Sequence, residues 1–164
     1  MEAVLAWMEA TWIGTLVREH PVPFPTLEIL HYMGLAVLLG VVALLDLRLL
    51  GVARGVPMAP LHRLMPWAVG AFGVNLVTGV MFFFSDPFGY YYNVSFRLKV
   101  VLLLLAGLNL LAYRFLAFAD AQRLGPGDDA AARTKVIAGA SLVLWVGIIV
   151  FGRLIPDLGS VAPQ

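Results

Sequence analysis

Apolar residues in this chain gather in four blocks, each long enough to cross the roughly 30 Å hydrocarbon core of a bilayer at a helical rise of about 1.5 Å per residue. The cleanest runs from Leu64 to Ser85, twenty-two residues without a charge. Leu27–Leu50 is apolar apart from Glu28 and His31 at one end and Asp46 and Arg48 at the other. Phe96–Phe118 is bracketed by Arg97 and Lys99 on one side and Arg114 on the other, and Thr134–Ile155 carries no charge from Val136 to Gly152. The pattern predicts four membrane helices, over about 27–50, 64–85, 96–118 and 134–155.

The segment before the first block is patterned differently. Leu5, Met8, Trp12 and Leu16 recur at helical spacing, and the rings of Trp7 and Trp12 suit headgroup depth. Glu2 and Glu9 stand where a cleavable signal would need a basic start. Residues 1–20 are therefore expected as an interfacial amphipathic helix, ended by Pro21, Pro23 and Pro25. The connections Val52–Arg63, Asp86–Ser95 and Gln122–Arg133 are short and rich in Pro, Gly and Asp, which makes them turns at a membrane surface. The expected fold is all-α, an integral membrane four-helix bundle behind an interfacial helix, with residues 1–164 as one membrane domain.

Composition agrees with this reading. Hydrophobic residues make up 61% of the chain, charged residues 13%, and the mean hydropathy is +0.90. Seven basic residues flank the first and third connections and four lie on the opposite face, so the expected location is a bacterial inner membrane with both termini, by the positive-inside rule, on the outer, periplasmic side. The net charge of +1 offers no polybasic face for nucleic acid. Cysteine is absent, which removes thiolate metal sites, iron–sulfur clusters and covalent haem attachment.

Ionisable residues inside membrane helices mark function by default. His31 lies fifteen residues before Asp46, and Lys99 fifteen before Arg114. Each pair is separated by about 22 Å along its helix. His31 and Lys99 should share a level near the outer surface, and Asp46 and Arg114 an inner level at which an ion pair would ease the cost of both.

A neutral imidazole facing a second nitrogen donor suits the iron of a b-type haem, here with His31 as axial ligand. Lys99 is either the second ligand or a propionate partner, Arg97 pairs with propionates, and Met81 is the next candidate for the sixth position. Gly34, Gly73 and Gly79 would let a flat macrocycle approach the backbone. Glu28 could accept the second ring N–H of His31 and fix its tautomer. The plainer readings are interhelical hydrogen bonding for Asn75, Thr78 and Asn109, an inner-surface place for His62, and an aromatic belt for Tyr90, Tyr91 and Tyr92.

The runs Leu27-Glu28-Ile29-Leu30-His31, Leu44-Leu45-Asp46-Leu47-Arg48-Leu49-Leu50-Gly51 and Phe96-Arg97-Leu98-Lys99 resemble a family of small bacterial four-helix membrane proteins of unknown function. More distantly, the helix-one histidine, Arg63-Leu64-Met65 with Thr78 and Gly79, and Lys99 opening helix three are similar to the HemJ protoporphyrinogen oxidases and the CopD-like copper-resistance domains. That resemblance would put His31 and Lys99 on the haem-associated histidine and lysine of HemJ. Helix four departs from it, opening with Arg133-Thr134-Lys135 in place of the Asn-Glu-x-Pro pattern associated with HemJ.

The resulting expectation is a membrane-embedded haem b protein in electron transfer between the quinone pool and an outer-side redox partner, in a homo- or hetero-oligomer or a larger complex. The alternatives are a cofactor-free structural subunit, a HemJ-like porphyrinogen oxidase, and a copper-handling protein using His31, Met33 and Met81.

Overall fold

Proline and glycine delimit the longest helix. In the computed structural model, which describes residues 1–158, the helix α3 begins at Pro23, where a missing N–H costs nothing, and runs to Leu50. It stops at Gly51, whose φ of +94° is a left-handed conformation that lets its own N–H return to the Arg48 carbonyl and the Val52 N–H to the Leu47 carbonyl. The described residues are all helix and turn: α1 Glu2–Glu9, α2 Trp12–Glu19, α3, α4 Met58–His62, α5 Met65–Ser85, α6 Pro87–Tyr92, α7 Val94–Ala112, a π-helical turn Tyr113–Ala117, α8 Phe118–Gln122 and α9 Ala132–Arg153. The expected single domain extends to 164, of which 159–164 lie outside the described residues.

Four stretches are long and apolar enough to cross a membrane: Pro23–Leu50, Met58–Ser85, Val94–Gln122 and Ala132–Arg153. They pack in the order α5, α3, α9, α7, with little direct packing between α5 and α7. The first span is therefore the central one. In its most apolar window 39% of residues are buried, against 6% in the span that contains α7.

Lipid tails are as apolar as leucine, so close packing and interhelical hydrogen bonds must hold such helices together. Gly34 on α3 supplies close packing, since a Cβ there would sit 2.5 Å from Asn75 Nδ2 and 3.2 Å from the Ala71 carbonyl of α5. Asn109 Nδ2 donates to the Ile137 carbonyl at 3.1 Å and joins α7 to α9, as expected of an interhelical amide. Asn93 accepts from Phe96 N–H at the start of α7 and donates to the Ile155 carbonyl, which fixes the far end of the same pair. The main core, with Leu45, Leu49, Met58, Ala121 and Ala138, lies towards the α4 and α8 end of the bundle.

The N-terminal segment is two helices, where one was expected. Thr11 accepts a hydrogen bond from Gly14 N–H and starts α2 afresh after α1 ends. Both fold back on the bundle: Leu5 and Val17 are buried, α2 packs on α5, and Arg18 donates to the Ser85 carbonyl at 3.2 Å. Trp7 and Trp12 remain 64% and 71% exposed, as headgroup-level rings would be.

At the other end Arg48 is wholly buried without a carboxylate partner. Its guanidinium donates to three backbone carbonyls, those of Val56, Gly125 (2.8 Å) and Asp128 (3.2 Å). It thus ties the α3–α4 connection to the α8–α9 connection, a contact reinforced by Gly127 N–H to the Arg54 carbonyl and by the Arg54–Asp129 ion pair.

Candidate functional site

His31 faces α5 one turn above the close contact at Gly34. Its Nδ1 lies 2.7 Å from Thr78 Oγ1, and Thr78 spends its own proton on the carbonyls of Val74 and Asn75 one turn back. With the hydroxyl proton on one of those carbonyls the oxygen accepts from the ring, which is the tautomer with the proton on Nδ1 and a free lone pair on Nε2. Phe82 sets its ring near the imidazole, with centroids 5.8 Å apart, and Phe24 packs behind Phe82. Gly79 brings only backbone close, its missing Cβ falling 4.0 Å from His31 Cε1.

Lys99 reaches the same level from α7. Its stem lies along α9 where Gly152 leaves room, with Nζ 3.5 Å from the position a Cβ would take. Its charge is within electrostatic reach of His31, and no carboxylate pairs with it among the described residues. The equal depth expected for His31 and Lys99 is present.

The remaining expected residues fall around this pair. Met81 is half-buried on α5, one turn beyond Thr78. Arg97 is exposed, and its guanidinium stands over the Tyr91 ring at 5.8 Å, on the rim and away from His31. Met33 is 61% exposed, which takes it out of any set with His31 and Met81. Glu28 makes no hydrogen bond to His31, whose Nδ1 lies against Thr78. Of the three glycines, Gly34 is occupied by α3–α5 packing, Gly73 meets nothing within 4 Å, and only Gly79 borders the histidine.

Tyr90 belongs less to a belt than to an aromatic lid above this level, packed against Phe83 and Phe96. Burial, with the nearby charges of Asp86 and Glu28 adding to it, pushes its phenol up to about 12. It stays protonated throughout the physiological range.

The Asp46–Arg114 ion pair is not formed. Arg114 is exposed over the Phe118 ring at 4.9 Å, while Asp46 looks towards Ser141 of α9 and Tyr113. The π turn that starts at Tyr113 widens the helix at this point and offers tyrosine, not arginine, to the carboxylate. His62, expected as a surface residue, joins this second cluster through Tyr113. The common depth of Asp46 and the end of helix three was legible in the sequence. The change of face caused by the π turn was not.

The model of a family of unknown function, DUF6644, matches residues 4–157. The chain belongs to the DUF6644 family. Comparison with curated proteins and with solved structures gives no match, and so lends no support to the resemblance to HemJ or CopD-like proteins. In this DUF6644 member no group of three or more His, Cys, Asp and Glu residues able to hold a metal ion occurs among the described residues.

Proposed function

We propose that the chain is a membrane-embedded haem b protein that passes electrons between the quinone pool and a redox partner at the outer surface, alone or within a larger complex. One observation carries the reading: a histidine inside a membrane-length helix has Nδ1 anchored 2.7 Å from Thr78 Oγ1, which leaves Nε2 as the nitrogen to face a ligand. Imidazoles that bind metals at one nitrogen commonly have the other so anchored, which fixes tautomer and ring orientation. The donor set suits a macrocycle better than a bare ion. A porphyrin brings four nitrogens of its own and asks the protein for one or two, whereas copper held by His31 and two methionines would need Met33, which is 61% exposed, turned in to join them.

His31 would be the axial ligand, and Lys99 the second ligand or, if charged, the partner of a propionate. Haem b in this place would supply a one-electron couple. Gly79 keeps the α5 side of His31 clear, the sparse packing between α5 and α7 leaves an open flank, and Tyr90 with Phe83 and Phe96 screens the site from the surface.

The test is a dithionite-reduced minus air-oxidised spectrum of the detergent-purified protein, with a pyridine haemochrome assay for stoichiometry. One b-type haem per chain is expected. His31→Ala should abolish the Soret band, and Thr78→Val should weaken haem affinity by about 10- to 100-fold while the fold persists. A normal Soret band in His31→Ala would refute the assignment. Protein free of haem from haem-replete cells would leave the cofactor-free scaffold ahead.

A further inference from the structure

A second set of chemistry-bearing side chains lies about 22 Å from His31 along α3, fifteen residues on, and plays no part in the reading above. Asp46 is 7% exposed, its Oδ2 is sealed from solvent without a hydrogen-bond partner, and no cation is within ion-pair distance among the described residues. Tyr113, first residue of the π turn, is within electrostatic reach of that carboxyl. Its Oη lies 2.7 Å from His62 Nε2 on α4. His62 in turn has a sealed Nδ1 without a partner, and its ring lines an open cavity of about 380 Å³ with Ala59, Arg63 and Gln122.

We propose that His62, Tyr113 and Asp46 form a proton relay from this cavity to a protonation site inside the bundle. Chains of Asp, Tyr and His at membrane depth serve this role because a proton can pass along hydrogen bonds where an ion cannot follow. Two unpartnered buried atoms, one at each end of the chain, are costly as static structure and are where such a relay must accept and deliver its proton. Water in the cavity gives a proton to His62 Nδ1 as the ring turns it towards the opening. The Nε2–H proton then passes to Tyr113 Oη, and the Tyr113 hydroxyl proton passes on to Asp46 Oδ2, in whose electrostatic reach it stands. One proton enters, hydroxide stays with the bulk, and the carboxylate becomes a carboxylic acid.

The surroundings do not short-circuit this path. Asp46 is faced by the Ser141 hydroxyl from α9 and by Tyr113 from the π turn. Arg48, two residues along α3, is committed to its three carbonyls. His62 is faced by Tyr113 and Phe118, with Arg63 on the cavity wall. Arg114 stands over Phe118, and Arg133 and Lys135 at the start of α9 pair with Asp120 and Asp129.

The experiment is infrared spectroscopy of the full chain in lipid nanodiscs with ¹³C-labelled aspartate, following hydrogen–deuterium exchange of the carboxyl assigned by its absence in Asp46→Asn. Tyr113→Phe and His62→Gln should each slow that exchange by about 100-fold, the usual scale for removing one acid–base group. Each variant is checked by amide exchange to have the parent fold, so failure of one leaves the other as the test. Exchange unchanged or faster in the folded variants would overturn the relay, because a merely structural cluster, once loosened, lets water in sooner. Haem content does not enter this measurement.

Discussion

Replacing Arg48 with methionine keeps most of its stem packing and removes the guanidinium that holds three backbone carbonyls. Hydrogen bonds to charged groups contribute about 1.5–3 kcal/mol each, so three set an upper bound of roughly 5–9 kcal/mol. Two effects reduce it. Relief from burying an unpaired charge returns part of the loss, and the freed carbonyls lie in connections where water can reach them. The expected destabilisation is about 3 kcal/mol, on the order of a 100-fold shift in the folding equilibrium. Arg48→Lys should recover little, since one ammonium cannot span three acceptors spread across two connections. Equilibrium unfolding by SDS in mixed micelles measures the shift, and proteolysis within Gly125-Pro126-Gly127 should rise in step with it. An Arg48→Met protein within about 0.5 kcal/mol of the parent, the range of ordinary surface changes, would refute the role given to the arginine.

Gly14→Ala should detach the N-terminal helices, because the new Cβ would lie 2.6 Å from the Phe84 carbonyl and 2.7 Å from that of Glu9, both backbone atoms with little freedom to move. Faster protease cleavage before Pro21, with the four spans intact, checks this, and parental resistance would count against the docking of α2 on α5. Asp129 is held below the usual carboxylate range by its hydrogen bond to Lys135, with the charge of Arg54 adding to it. A carboxyl depressed in the folded state stabilises it above the ordinary carboxylate value and loses that contribution as pH falls through the lowered one. Amide exchange over 124–131 should therefore quicken below about pH 4, and Asp129→Asn should flatten that acid response. An unchanged acid response in Asp129→Asn would show that other groups govern the connection.

The spans were legible because length and apolarity are local properties, and each block lies close to the helix that forms from it. Which helix packs on which was not. A helix in lipid is apolar on every side, so Leu38 facing the core and Leu104 facing outwards carry the same letter, and no amphipathic stripe records the order α5, α3, α9, α7. Polar residues carry what directional information there is. His31 and Lys99 matched in depth because their helices run the same way without interruption between them and the shared end. Asp46 and Arg114 failed to pair because one turn of π-helix lies at that point, and no sequence signal announced it. Arg48 was legible as a charge and not as a lock, since its partners are backbone carbonyls that every residue possesses.

The arginine lock also orders assembly in time. Two of its three acceptors, the carbonyls of Gly125 and Asp128, are made some eighty residues after Arg48 itself. While the chain is being synthesised, α3 and α5 can form a hairpin, but the connection between them has only the Val56 carbonyl to offer the guanidinium. It closes when the second hairpin, α7 with α9, arrives and seats α9 against α3. Arg48 thus acts as a latch that engages only once both connections are in place, and a chain ending before Gly125 would leave the guanidinium the Val56 carbonyl alone.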